Sequence, residues 1–176
     1  DQLSANSPIL VCEPSCATAL ADDLPDLLDD QLLTLRVSSW VQMLDHFLEQ
    51  ELAEQRCQLL LKCPNQDVSP QFLVHGHCHQ KTLNGANWTH KLLSRIPGAS
   101  VLDSESGCCG MAGSFGYEVE HVFLSRQIAA QKLLPRLSET PSESWVVANG
   151  FSCRHQISDL SNRRPLHVAE VLRRFL

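Results

Sequence analysis

The run His75-Gly76-His77-Cys78-His79-Gln80-Lys81 sets three imidazoles, a thiol and an amine within seven residues. Further along, Gly107-Cys108-Cys109-Gly110-Met111-Ala112-Gly113-Ser114-Phe115-Gly116-Tyr117-Glu118 sets two adjacent thiols among glycines. Thiols and imidazoles are the side chains that bind transition metals or move electrons. A polynuclear metal–sulfur centre needs several thiolates held rigidly, with amide donors nearby to spread its negative charge. The glycines flanking the pair, Gly110 above all, let the backbone fold closely around an inorganic group. Adjacent cysteines aim poorly at a single metal atom but can reach neighbouring irons of one cluster. The two runs therefore read as walls of one iron–sulfur site.

Other chemistries use the same residues. Cys108 and Cys109 could be a buried pair, a strained vicinal disulfide or a thiol–disulfide catalytic couple. Zinc could recruit His77 or His79 beside the cysteines. In an extended segment the alternating His75, His77 and His79 share a side. The preferred role for His77, His79 and Lys81 is to donate hydrogen bonds or positive charge to cluster sulfurs; Arg154 and His155 beside Cys153 either act similarly or belong to the surface.

The elements that must position these groups follow from the apolar pattern. Ser7 to Cys12 reads as a buried strand, closed by Glu13-Pro14-Ser15-Cys16, which puts Cys16 at a helix amino end where peptide dipoles favour a thiolate. A helix is predicted from near Pro25. Ser38 or Ser39 is a candidate cap for the next, with Trp40, Leu44, Phe47 and Leu48 on its core face. Cys57 and Cys63, near a turn at Pro64-Asn65, match no tight metal spacing and are left outside the site. Cys12 is assigned to the core. Strands are predicted over Gln71–His75, Ala99–Asp103 and Trp145–Ala148, with helices through Asn84, over Ala86–Ile96 and over Glu118–Leu137. In the last of these, Val119, Val122, Phe123, Ala130, Leu133, Leu134 and Leu137 are expected to share the face that covers the sheet.

The expected fold is α/β, a mostly parallel sheet of about four strands with flanking helices and right-handed crossovers. Sites in such sheets form beyond the carboxyl ends of the strands. Each of the four predicted strands delivers cysteine there: Cys16, Cys78, Cys108 with Cys109, and Cys153. These five are the candidate metal ligands. His77, His79, Lys81, Gly110 and Arg154 are the candidate residues around the cofactor.

Composition narrows the function classes. The 176 residues are 43% hydrophobic, enough for one sizeable core. The net charge of -6 opposes nucleic-acid binding, which needs clustered Lys and Arg. No apolar run reaches membrane-spanning length and no signal pattern precedes one, so a cytoplasmic protein is expected, at most peripheral to the inner face of a membrane. Eight cysteines in such a chain favour metal or redox chemistry over disulfides. A start at Asp1 suggests a segment excised from a longer protein.

The motifs His77-Cys78-His79, Gly107-Cys108-Cys109-Gly110 and Ser152-Cys153-Arg154 resemble the cysteine-rich CCG domain of iron–sulfur oxidoreductases. The fuller runs HGHCHQK at 75–81, CCGMAGSFGYE at 108–118 and NGFSCRHQI at 149–157 are similar to the carboxyl-terminal part of FAD-containing iron–sulfur D-2-hydroxyacid dehydrogenases of the D-lactate and D-2-hydroxyglutarate type. The resemblance covers Glu13 to the end. It implies that residues 1–70 are the tail of a first CCG repeat with connecting helices, and 71–176 a complete second repeat. It implies a 4Fe-4S cluster on Cys78, Cys108, Cys109 and Cys153, with Cys16 a fifth thiolate or the remainder of a first-repeat site. FAD and ferredoxin-like parts would lie upstream in the parent chain, and a quinone or soluble carrier would accept the electrons. The chain departs from the pattern at Glu13 and Gly150, which stand where the first cysteines of the closing C-x-x-C motifs would be. That leaves a cubane on four cysteines as the expectation for the second repeat.

Overall fold

A computed structural model describes residues 7–63, 69–83 and 87–176. The predicted turn at Pro64-Asn65, the helix end at Asn84 and the helix start at Ala86 lie outside the described residues.

The first strand, β1 (Ile9–Val11), runs into α1 (Pro14–Thr18), where Pro14 supplies the preset φ that suits a first helical position. A π-helical turn over Ala19–Asp23 leads into α2 (Leu24–Leu27). The Asp30 carboxylate accepts the Leu33 N–H at 3.0 Å and so starts α3 (Gln31–Trp40). Here the structure corrects the sequence reading. Neither Ser38 nor Ser39 caps a helix carrying Trp40: the chain leaves α3 at Trp40 and forms β2 (Val41–Met43), parallel to β1. The physical reason is that the backbone groups of β1 need a partner, and the segment around Val41 supplies one. The following helix, α4 (Leu44–Ala53), buries Asp45 and Glu49 and leaves Leu44, Phe47 and Leu48 only half-buried.

The carboxyl-terminal half contains a three-stranded parallel sheet in the order β4-β3-β5, formed by β3 (Gln71–Val74), β4 (Ser100–Asp103) and β5 (Trp145–Val147). Between β3 and β4 lie α5 (Cys78–Leu83) and α6 (Asn87–Ser94). A 3-10 turn (Phe115–Tyr117), α7 (Val122–Gln131) and α8 (Leu133–Glu139) connect β4 to β5, and α9 (Phe151–Leu160) and α10 (Val168–Phe175) complete the chain. Leu166 pairs in parallel with Val147, extending the sheet edge by one bridge. The parallel α/β class is as expected, with the strands divided between two small sheets.

Side chains alternate across the strands, as a period of two requires. Phe72, Val74 and Val147 face Leu92, Leu93, Ile96, Val171 and Phe175 on one side. Leu73, Val146 and Ala148 face Leu133, Leu137 and Ile157 on the other, and Cys109 and Cys153 belong to this second core.

The predicted helix over Glu118–Leu137 is broken at Lys132, and its expected core face divides. Leu133 and Leu137 are buried, but Val119 is 88% exposed and Phe123 71% exposed. Ser125 and Ala129 are the residues of α7 that face inward. Small side chains let α7 approach the cysteine loop closely, and the break then rotates the leucines of α8 back toward the sheet. The assignment of Cys12 to the core is also corrected, since Cys12 is exposed at the end of the edge strand β1.

Candidate metal centre

The carboxyl ends of β3, β4 and β5 converge because the strands are parallel and in register, and each ends in a turn bearing chemistry. β3 continues into His75, whose N–H donates to the Val147 carbonyl at 2.8 Å, locking the ends of β3 and β5 together. Cys78 opens α5, the Cys108–Cys109 pair lies in the loop after β4, and Cys153 sits in the first turn of α9.

Four cysteines join in a row. Cys78 contacts Cys108, Cys108 contacts Cys109, and Cys109 contacts Cys153. His75 closes the row: one of its ring nitrogens and the Cys109 and Cys153 sulfurs lie within 4.8 Å of one another, and all three residues are buried. The proton-sharing alternates along it. Hydrogen bonds from Cys109 and then Cys78 push the Cys108 thiol far down, and those shared protons hold Cys109 and Cys78 up. Cys153 is lowered to about 5, first by the hydrogen bond from Cys109 and also by His75.

The backbone adds donors of its own. Gly110 N–H donates to the Cys108 sulfur at 3.2 Å, the Ala112 amide also points at Cys108, and the Met111 amide points at Cys109. This requires left-handed backbone at Gly110, whose φ is 97°, and a Cβ there would strike the Ser125 carbonyl. Gln156 pins the loop from α9, donating from Nε2 to the Cys109 carbonyl at 3.1 Å and to the Ser125 hydroxyl at 2.9 Å.

The donor set fits a metal centre. His75 is 2% exposed, its Nδ1 lies 2.8 Å from the Ser106 hydroxyl, and its Nε2 is buried with no hydrogen-bond partner among the described residues. Ser104 supports Ser106 at 2.8 Å. An imidazole held through Nδ1, with a buried and unbonded Nε2 and two thiols close to the ring, is the arrangement a metal ligand needs.

Of the five predicted ligands, Cys78, Cys108, Cys109 and Cys153 come together, while Cys16 lies exposed on α1, a helix that packs against α5. Cys57 is half-buried after α4, and Cys63 packs against the first core. The expected alternation of the three imidazoles ends at Cys78, where the chain turns into α5. His77 is buried beside Cys78, its Nδ1 accepting the His79 N–H at 3.2 Å, and burial pushes its pKa down. His79 turns to the Thr18 hydroxyl at 3.0 Å. Lys81 donates to the Ser106 carbonyl at 2.6 Å, and Arg154 donates to the Ala148 and Asn149 carbonyls at 2.9 and 2.6 Å. Both cations thus hold the turns that carry the site. The sequence reading gave His75 no individual role, although its place at the end of a strand was the same signal that singled out the cysteines.

No protein-family model matches the chain, and no solved structure matches it significantly. Curated proteins do. One of the subunits of the anaerobic glycerol-3-phosphate dehydrogenase of Escherichia coli K12 is 28% identical over 165 residues, 94% of this chain and 39% of that protein. A D-2-hydroxyglutarate dehydrogenase of Pseudomonas putida is 31% identical over 104 residues, covering 57% of this chain and 10% of the relative. The enzyme of the same name from Pantoea ananatis is 25% identical over 166 residues, 94% of this chain and 15% of the relative. The chain thus spans well under half the length of the curated relatives it matches, and it is a distant homologue of parts of these larger dehydrogenases.

Proposed function

We propose that this chain is an iron–sulfur electron-relay domain of a flavin-linked dehydrogenase for D-2-hydroxyacids of the D-lactate or D-2-hydroxyglutarate type. The observation that carries the reading is the unbroken row of four cysteines ended by the bare Nε2 of His75. Cys78, Cys108, Cys109 and Cys153 would hold the cluster, His75 would stand as a fifth donor, and Cys16 on the neighbouring helix is a further candidate thiolate. When bound, such a cluster takes up and returns single electrons.

The chain's own residues would serve that task in distinct ways. The amides of Gly110, Met111 and Ala112 offset negative charge on the sulfurs. Met111, Leu133 and Ile157 exclude water on the side of Cys109 and Cys153. Cys78 and Cys108 are only half-buried, so electrons would enter and leave at that edge. FAD would sit on another part of the parent protein, with a quinone or soluble carrier as the final acceptor. The relatives are named for glycerol-3-phosphate and for D-2-hydroxyglutarate. A segment common to dehydrogenases of two different substrates is better suited to handling electrons than to recognising either.

Protein purified and reconstituted without oxygen is expected to contain iron and acid-labile sulfide in equal amounts, with broad visible absorbance and a paramagnetic signal on reduction. Stoichiometric zinc with no iron would overturn the reading. One observation favours that second reading, a structural zinc module. The donor atoms of His75, Cys109 and Cys153 lie within 4.8 Å of one another. The ligands of a single tetrahedral zinc ion stand about 3.5 Å apart.

A further inference from the structure

Asp45 is fully buried on the first turn of α4, in the amino-terminal half of the chain, and supplies no donor atom to the metal centre. Its Oδ1 accepts the His46 N–H at 3.0 Å. Its Oδ2 accepts from Gln80 Nε2 at 2.7 Å, from Asn149 Nδ2 at 3.1 Å and from the Thr89 hydroxyl. Gln80 follows Cys78 by two residues in α5, and Asn149 precedes Cys153 by four in the turn entering α9. Asn149 is itself held, donating to Thr89 at 3.0 Å and accepting the Val168 N–H at 3.2 Å.

The β3–β5 ladder ends at Val74 and Val147, and its last bond reaches only to His75. Beyond that point, the carboxylate of Asp45 gathers one side chain from the element that carries Cys78 and one from the turn that leads to Cys153. The four donors to it are neutral groups, so none of them cancels a carboxylate charge in this low-dielectric interior, where like charge is felt strongly. A buried charge costs more than an apolar replacement would. Its expense is consistent with a task beyond packing.

Resting on the iron–sulfur reading for its electrostatic half, we propose that Asp45 is the positioning residue that sets Cys78 against Cys153. We propose further that its negative charge holds the reduction potential of their metal centre down. An added electron on the cluster is disfavoured by a buried anion bonded to the elements that carry its ligands, as one of the ways proteins tune such potentials.

The test compares wild type, Asp45→Asn and the swap Asp45→Asn with Asn149→Asp. The first readout, in metal-free protein, is amide hydrogen exchange over residues 78–82 and 150–154. The others are iron content after anaerobic reconstitution and the midpoint potential of the loaded protein. In Asp45→Asn, exchange is expected to quicken about tenfold in both segments together, iron to fall below half of wild type, and the remaining cluster to titrate at a more positive potential. The swap re-creates a carboxylate and an amide facing each other, and is expected to restore exchange and iron and to bring the potential back down. A merely structural carboxylate would change exchange and iron without moving the potential. Wild-type exchange in Asp45→Asn, or a swap that fails to restore it, would overturn the positioning role, and an unmoved potential would overturn the electrostatic one. Wild type that takes up no iron would overturn the iron–sulfur reading and with it the tuning of a cluster potential, while the exchange comparison still decides the positioning.

Discussion

The His77 ring fills the space into which any side chain at position 150 would project. A Cβ built on Gly150 would collide with His77 Cδ2 and lie 3.1 Å from Nε2. The departure at Gly150 from the closing C-x-x-C pattern is therefore coupled to a residue far away in sequence. Restoring a cysteine at position 150 cannot restore a ligand while His77 keeps its place.

Gly150→Ala is accordingly expected to destabilise the fold by about 1–3 kcal/mol, the usual size of an overpacking penalty. Combining it with His77→Ala should recover part of that loss, because the ring that blocks the new methyl is gone. Urea unfolding of the two single variants and the double variant measures the coupling. Strictly additive losses would show that the two positions do not compete for space.

The cysteine pair can be tested against its neighbours. Cys108→Ser and Cys109→Ser should both lower iron retention sharply in anaerobic preparations, because oxygen is a harder donor than thiolate. Cys57→Ser should leave iron unchanged. The two site variants should differ in stability. Cys109 is 4% exposed within the second core, so a serine there is expected to cost about 1–3 kcal/mol. Cys108 is half-exposed and should tolerate serine better. Equal iron in all three proteins would exclude the pair as ligands.

Phe123 and Leu133 are both large apolar residues of one predicted helical face, and they should respond oppositely. Phe123 is 71% exposed and Leu133 is 1% exposed. Phe123→Gln is expected to stay within about 0.5 kcal/mol of wild type, and Leu133→Ala to lose about 2–5 kcal/mol. Thermal or urea unfolding checks both.

His167 provides a pH dependence outside the site. Its Nδ1 accepts the Ala169 N–H at 3.1 Å as the cap of α10, and its Nε2 lies 3.0 Å from the Cys12 carbonyl. Burial is the largest cause of a pKa lowered from 6.5. The unfolded state therefore binds the proton first, so this contribution is complete above 6.5 and is lost as pH falls from there through the folded value. Protonation of Nδ1 also removes the cap, a loss on the order of 1 kcal/mol. His167→Asn keeps an acceptor that does not titrate. Unfolding midpoints between about pH 7.5 and pH 5 should fall further for wild type than for this variant, and parallel curves would exclude His167 as a source of the dependence.

Much of the site was legible from residue order, because strands and cysteines are local features. A short apolar run followed by a turn with cysteine says where a thiol leaves a parallel sheet; Cys78, Cys108, Cys109 and Cys153 do meet, while Cys16, marked by the same signal, lies exposed on α1. The parallel α/β class followed from the alternation of strands with helices. Tertiary structure decided what depends on partners distant in sequence. Val41–Met43 became a strand because β1 needed one beside it. Phe123 went to solvent because α7 packs through Ser125 and Ala129, and Val119 because the helix begins only at Val122. His75 became the buried imidazole beside Cys109 and Cys153, while His77 lies beside Cys78 and His79 turns away to Thr18 once the chain enters α5. Helical and strand periods describe a segment by itself. Which nitrogen is left bare, and which glycine must stay bare, depends on what another segment brings against it.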